Sequence, residues 1–94
     1  MKTIKIFNLA GDFAENKDVA RDIRINLITP TIKRGGEVVL DFAKVESVTQ
    51  SFVHALLSEV MREFSTEILD KIAFKNCNDT VKGIVNIVVD YMQS

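Results

Sequence analysis

The only nucleophile and base of the kind used in cysteine catalysis are Cys77 and His54, the single cysteine and the single histidine of the chain. Cysteine catalysis needs a thiolate that a neighbouring base activates and a third group orients. No glycine-rich turn that could supply an oxyanion hole accompanies either residue. A lone cysteine is commonly a small buried apolar side chain. We therefore expect no enzymatic activity.

Metal-binding and acid–base patterns are equally weak. Structural zinc requires several Cys and His ligands, and this chain has one of each. Asp12 and Asp41 are candidates for a carboxylate pair of the kind used in general acid–base catalysis, but each also suits a turn. The pair Gly35-Gly36 is expected to close a helix rather than to form a phosphate-binding loop. The sequence thus predicts no cofactor and no metal.

The net charge, the chain length and the cysteine count limit the partners and the cellular compartment that we expect for this protein. The 94 residues carry 12 basic and 13 acidic side chains, a formal net charge of -1, which gives no electrostatic footprint for nucleic acid or for an anionic membrane surface. No apolar run approaches the roughly 18 residues of a membrane span, and no signal peptide is recognisable. One cysteine fits a reducing compartment. We expect a single cytoplasmic domain over residues 1–94.

Hydrophobic spacing alternates along the chain between strand-like and helix-like periods. The order β-α-β-α-β-α is typical of an α/β domain with a mainly parallel or mixed sheet. Pro30 predicts a kink or an early end in the first helix, because it cannot donate to the carbonyl of Asn26. The second strand contains a short apolar run that follows a glycine pair, the pattern of strands that are buried on both faces. The spacing predicts strands over residues 3–9, 37–42 and 68–74 and helices over residues 17–34, 49–65 and 79–92.

Polar side chains follow each predicted strand. In an open α/β sheet, ligands and partners gather at the carboxyl ends of the strands, and helix N-termini located there attract anions. The same residue types are also common helix caps. The residues predicted to share this edge are Asn8, Asp12, Thr49, Gln50, Ser51, Asn76 and Asn78.

Two segments resemble STAS domains. Residues 40–57 (LDFAKVESVTQSFVHALL) are similar to the family's buried strand, short loop and polar turn that opens a helix. Residues 9–14 (LAGDFA) resemble the Gly-Glu-Leu-Asp segment before the family's first helix. The turn over residues 49–52 (TQSF) is closest to a bacterial STAS-like branch in which it reads Thr-x-Ser-Phe. The resemblance covers about residues 3–92 and implies a STAS-like α/β fold.

The resemblance also implies a regulatory function. Anti-sigma factor antagonists use a STAS domain to bind a GHKL-type serine kinase, and phosphorylation of a serine at a helix N-terminus breaks that complex. The position of that serine is occupied here by Gln50, which cannot be phosphorylated. Ser51 is the candidate for a displaced phosphoacceptor, against the simpler reading that it caps or packs in the first helical turn. We expect a non-enzymatic signalling module that binds a kinase-like ATPase or another protein partner.

Other functions stay open. Helix N-termini on the same edge could hold a nucleotide or another anion, which would make the chain a ligand sensor. A small enzyme that uses Cys77 is the third alternative, and self-association into a homodimer through exposed apolar edges is an open question.

Overall fold

Short parallel strands and a layer of longer helices make up the fold. A computed structural model describes residues 1–93. The elements, in chain order, are β1 (Lys2–Lys5), α1 (Ile6–Ala10), β2 (Phe13–Ala14), α2 (Lys17–Ile23), a π-helical turn (Arg24–Ile28), α3 (Thr29–Lys33), β3 (Val38–Asp41), β4 (Ser47–Val48), α4 (Gln50–Phe64), a 3₁₀ helix (Thr66–Lys71), β5 (Ile72–Lys75) and α5 (Asp79–Gln93).

The main sheet has the order β1-β3-β5, and both strand pairs are parallel. Ile4 lies beside Leu40, and Leu40 lies beside Phe74. The prediction of an α/β fold with a parallel sheet is therefore confirmed. The predicted second and third strands are neighbours, as the alternation of strands and helices requires.

The two faces of this sheet differ. Ile4, Leu40 and Ile72 are buried in the hydrophobic core. On the opposite face, Val39 lies between Thr3 and Ala73, which are both exposed. Val39 itself is shielded by its neighbouring strands but does not belong to the core cluster. The prediction that the second strand is buried on both faces is confirmed for β3, because Val38, Val39 and Leu40 are all buried, although the side chains beside Val39 on the neighbouring strands are exposed.

Two predicted strands are shorter than expected. Residues 6–9 form α1, and residues 68–71 belong to the 3₁₀ helix. A short run of β-branched and aromatic residues does not distinguish a strand from a buried helical turn. Gly11, with φ +80°, ends α1 by donating its N–H to the carbonyl of Phe7. A glycine at this position would end a strand as well as a helical turn, so it does not distinguish the two.

The first long helical segment agrees with the predicted helix in its extent, and it is irregular near Pro30, where a kink or an early end was predicted. Residues 17–33 are helical, but the turn Arg24–Ile28 widens to π geometry directly before Pro30. A widened turn accommodates the missing proline N–H, and the Thr31 hydroxyl donates to the Leu27 carbonyl at 2.8 Å. Gly35, with φ +81°, follows the end of α3, in agreement with the predicted left-handed cap.

A second, two-stranded sheet was not predicted. Phe13 pairs with Ser47 and Ala14 with Val48, in parallel. Backbone bonds extend the pairing, since the Asp12 carbonyl accepts from the N–H groups of Glu46 and Ser47. This pair fixes the loop that precedes α4. Among residues 1–93, no helix is both long and apolar enough to cross a membrane.

Candidate functional site

The N-terminus of α4 is closed by its own cap. Thr49 has an extended backbone, and its Oγ1 accepts from the N–H of Phe52 at 3.1 Å. The Thr49 N–H donates to the carbonyl of Ala14 at 3.0 Å, which ties the cap to β2. Thr49 therefore positions α4. Its side chain, which we predicted to belong to a binding site, accepts a hydrogen bond from the helix that it caps.

Asn78 performs the same task for α5. Its Oδ1 accepts from the N–H of Val81 at 2.8 Å. Its Nδ2 donates to the carbonyls of Val45 and Glu46 at 3.3 and 3.0 Å. One side chain thus caps a helix and also holds the loop between β3 and β4.

Asn76 contacts the end of β3. Its Nδ2 donates to Oδ1 of Asp41 at 3.0 Å, and the same carboxylate oxygen accepts from the N–H of Ala43 at 2.9 Å. These two bonds, aided by the charges of Lys5 and Lys75, hold the pKa of Asp41 below its usual range. Asp41 is not paired with Asp12 by any described bond, so the structure gives no support to a carboxylate pair.

Asn8 and Asp12 lie apart from these bonds. Asn8 belongs to α1, and its exposed side chain lies in a small cleft of about 170 Å³ with Lys5, Asp41 and Lys44. Asp12 contributes its backbone carbonyl to the β2–β4 loop pairing, while its side chain is exposed. None of the described cavities is lined by all seven residues predicted to share one edge, and their joint role as a binding edge stays a prediction.

Gln50 and Ser51 do lie together, in the first turn of α4. Both are exposed, and both line a groove of about 390 Å³ between α4 and α5. We call it the α4–α5 groove. Its lining residues are Lys17, Gln50, Ser51, His54, Ala55, Ile87, Val88 and Tyr91.

The apolar part of the groove comes from α5. Ile87 is 51% exposed and Tyr91 is 73% exposed, whereas Val88 beside them is buried. Ile87 and Tyr91 are four residues apart, so they lie on one face of the helix. The α4–α5 groove therefore combines exposed apolar side chains with the polar first turn of α4.

The nucleophile and base of the sequence hypothesis have different surroundings. His54 lines the α4–α5 groove, whereas Cys77 precedes α5 and is half-buried. Burial raises the pKa of the Cys77 thiol, which favours the neutral thiol over the nucleophilic thiolate. Within residues 1–93, no group of three His, Cys, Asp or Glu side chains could hold a metal ion.

Sequence reasoning missed Lys17, Ile87 and Tyr91. The signal for the two α5 residues was present: Ile87 and Tyr91 stand at i and i+4 but lie off the stripe that Val81, Val85 and Val88 bury. Two large apolar residues outside the buried stripe of a helix indicate a contact surface. Lys17 gave no such signal, because only the fold brings the start of α2 to the groove.

Comparison with known families gives one match. A family model described as "STAS-like domain of unknown function (DUF4325)" matches residues 19–82, which is more than half of the chain. The chain belongs to this STAS-like family. The matched range of the STAS-like domain includes the whole of α4 with Gln50 and Ser51, and it ends in the first turn of α5. The comparisons with curated proteins and with solved structures give no match.

Proposed function

We propose that this STAS-like domain is a non-catalytic regulatory module that binds a protein partner through the α4–α5 groove. The partner class is a GHKL-type ATPase or serine kinase. The observation that carries the proposal is the exposure of Ile87 and Tyr91 directly beside the first turn of α4. That turn is the segment whose resemblance to anti-sigma factor antagonists implies partner binding.

The composition of the groove supports a protein partner. Interfaces are enriched in aromatic and large apolar anchors near their centre, surrounded by a polar rim. Ile87 and Tyr91 supply the anchors, and Gln50, Ser51 and His54 supply the rim. No described bond or cavity suggests chemistry at this surface.

The hydrogen bonds that fix α4 in place also support docking at the groove. Thr49 caps α4 and is tied to β2, so the first turn of α4 is held before any partner arrives. The Arg24 guanidinium donates to the Ala55 carbonyl at 3.2 Å, which ties α4 to the π-helical turn. A prearranged surface loses less conformational entropy on binding.

Ser51 is the proposed site of control in place of the position that Gln50 fills. Its exposed hydroxyl lies in the groove with Lys17, near the positive end of the α4 dipole. A phosphate there would be stabilised locally but would introduce charge and bulk beside Ile87. We propose that phosphorylation at Ser51 weakens the complex.

The proposal is tested by titrating the domain with GHKL-type ATPases of the same organism, beginning with any that is encoded beside its gene. Ile87→Glu is expected to weaken binding by about ten-fold or more, as for an interface anchor. Ile25→Glu is the matched control, because Ile25 is also 51% exposed but lies in the π-helical turn. Ser51→Asp is expected to weaken binding, and Ser51→Ala is expected to retain it.

Two results would contradict the proposal. Absence of binding by the unaltered domain rejects the ATPase partner, and equal losses for Ile87→Glu and Ile25→Glu reject the groove. A thermal-shift measurement with ATP alone addresses the anion-sensing alternative. A rise in Tm with nucleotide, abolished by Lys17→Glu, would favour a ligand sensor instead.

A further inference from the structure

The outer edge of β1 is open along its length. β1 is an edge strand of the main sheet and pairs only with β3 among the described residues. The Lys2 N–H points toward β3, since it donates to the Glu37 carbonyl at 2.8 Å. Because successive residues of a strand direct their N–H groups to opposite sides, the N–H groups of Thr3 and Lys5 point to the outer edge.

A groove runs along this edge. Its volume is about 330 Å³, and all four residues of β1 line it. Leu27 from the π-helical turn and Leu9 from α1 provide apolar walls, and Leu9 is 47% exposed. The groove shares no residue with the α4–α5 groove. Backbone donors beside apolar walls are the requirements for binding an extended chain by strand addition.

Charge selects the occupant. Lys2 and Lys5 both line the groove, and no carboxylate is among its lining residues. Antiparallel pairing with β1 of a second copy would bring Lys2 and Lys5 of both copies onto one short ribbon with no carboxylate from either groove between them, and like charges in close cross-strand positions destabilise a pair. The other edge strand, β5, ends in Lys75 and follows Lys71, so it offers no better match. The charges disfavour self-pairing and favour an acidic segment.

We propose that β1 is a docking edge for an extended, acidic segment of a partner protein, which adds to the main sheet as a fourth strand. The backbone of the segment accepts from Thr3 and Lys5, its carboxylates pair with Lys2 and Lys5, and an apolar side chain packs on Leu9 and Leu27. This surface is independent of the proposed function at the α4–α5 groove.

The experiment uses a labelled eight-residue peptide that repeats glutamate–valine–valine, because glutamates three residues apart fall on opposite faces of an extended chain, as Lys2 and Lys5 do. Fluorescence anisotropy measures its affinity, and amide hydrogen exchange of the whole domain reads the Thr3 and Lys5 N–H groups. We expect binding together with slower exchange at these two amides. A peptide of the same sequence that is N-methylated at every amide is expected not to bind, because neither of its edges can pair.

The double variant Lys2→Glu with Lys5→Glu removes the charge match while the exposed positions leave the core intact. We expect its affinity for the acidic peptide to fall by about ten-fold or more, and we expect it to prefer a peptide in which lysine replaces glutamate. The matched control, Lys71→Glu with Lys75→Glu, changes the same charges at the β5 edge and is expected to retain affinity.

Three outcomes would overturn the proposal. Unchanged exchange at Thr3 and Lys5 would show that the lysines only keep the edge strand from pairing. Equal binding of the N-methylated peptide would exclude strand addition. Equal loss in both double variants would reduce the effect to net charge.

Discussion

The loops at the strand ends and the α4–α5 groove contain similar polar residues, but they differ in where the side chains are used. At the strand ends, Thr49, Asn76 and Asn78 bond to backbone or to Asp41 inside the domain. In the groove, Gln50 and Ser51 present their side chains at the surface, although they directly follow Thr49 in the chain.

The difference teaches that position relative to a helix start decides the role. A side chain at the N-cap faces the first unpaired N–H groups of the helix and accepts hydrogen bonds from them, so it is not available to a ligand. The next two residues begin the helix, and their side chains turn outward. Substitutions at the strand ends should therefore change stability, and substitutions in the groove should change binding.

The largest effect is expected at Asn78. Asn78→Ala removes the cap of α5 and both bonds to the carbonyls of Val45 and Glu46, so we expect the free energy of unfolding to fall by about 2 kcal/mol. Urea denaturation measures it. Asn78→Asp keeps the cap acceptor and should lose roughly half as much. Asn86→Ala, on the exposed face of α5, is the control; a loss as large there would remove the distinction.

Thr49→Ala is expected to cost about 1 kcal/mol, because α4 loses the Oγ1 acceptor for the Phe52 N–H. Thr49→Ser retains that acceptor and should stay within about 0.5 kcal/mol of the unaltered domain. The neighbouring Gln50→Ala change tests the comparison within one turn. If it destabilises the domain as much as Thr49→Ala does, the division between cap and groove is wrong.

Ile87→Gln is expected to leave the free energy of unfolding within about 0.5 kcal/mol, since half of the side chain is already exposed. Thermal and urea unfolding beside the partner titration would separate stability from binding. A loss of stability comparable to that of Thr49→Ala would mean that Ile87 belongs to the core rather than to a docking surface.

The smallest stability effect is expected at Asn76, where the readout is the pKa of Asp41. Asn76→Gly keeps the positive φ of this position, +57°, but removes the amide donor, so the pKa of Asp41 should rise toward its usual range. NMR titration of the carboxyl carbon measures the shift. Asn8→Ala, in the same cleft without a bond to Asp41, should leave it unchanged.

The sign of the pH dependence follows from the direction of that shift. The folded pKa of Asp41 lies below its unfolded value, so its contribution to stability is present above the unfolded pKa. That contribution is lost as the pH falls through the folded pKa. Asn76→Gly should reduce the fall in the free energy of unfolding at acid pH. An unchanged fall would show that the Asn76 hydrogen bond does not set the pKa of Asp41.

The parts of the fold that could be predicted are those with a long hydrophobic period. The buried residues Val81, Val85 and Val88 of α5 stand at helical spacing over about two turns, and β3 contains a short apolar run after a glycine pair. β2 and β4 could not be predicted, because two residues show no period. α1 was missed because a run such as Ile6-Phe7 is compatible with a strand or a helical turn.

The candidate site shows the same division. Thr49 and Asn78 could be predicted as caps from residue type and position, and the structure gives them those roles. Their grouping into one binding edge stays a prediction, because the topology gathers strand ends but does not by itself direct side chains outward. The groove itself depends on how α4 and α5 pack together, which no local pattern contains.

The bond between Arg24 and Ala55 gives the π-helical turn an influence beyond its own helix. Ala55 forms part of the wall of the α4–α5 groove, and Arg24 donates to its backbone carbonyl. A substitution that moves the π-helical turn would remove this hydrogen bond. The turn is thereby connected to the docking surface by a direct contact with the helix that forms its wall.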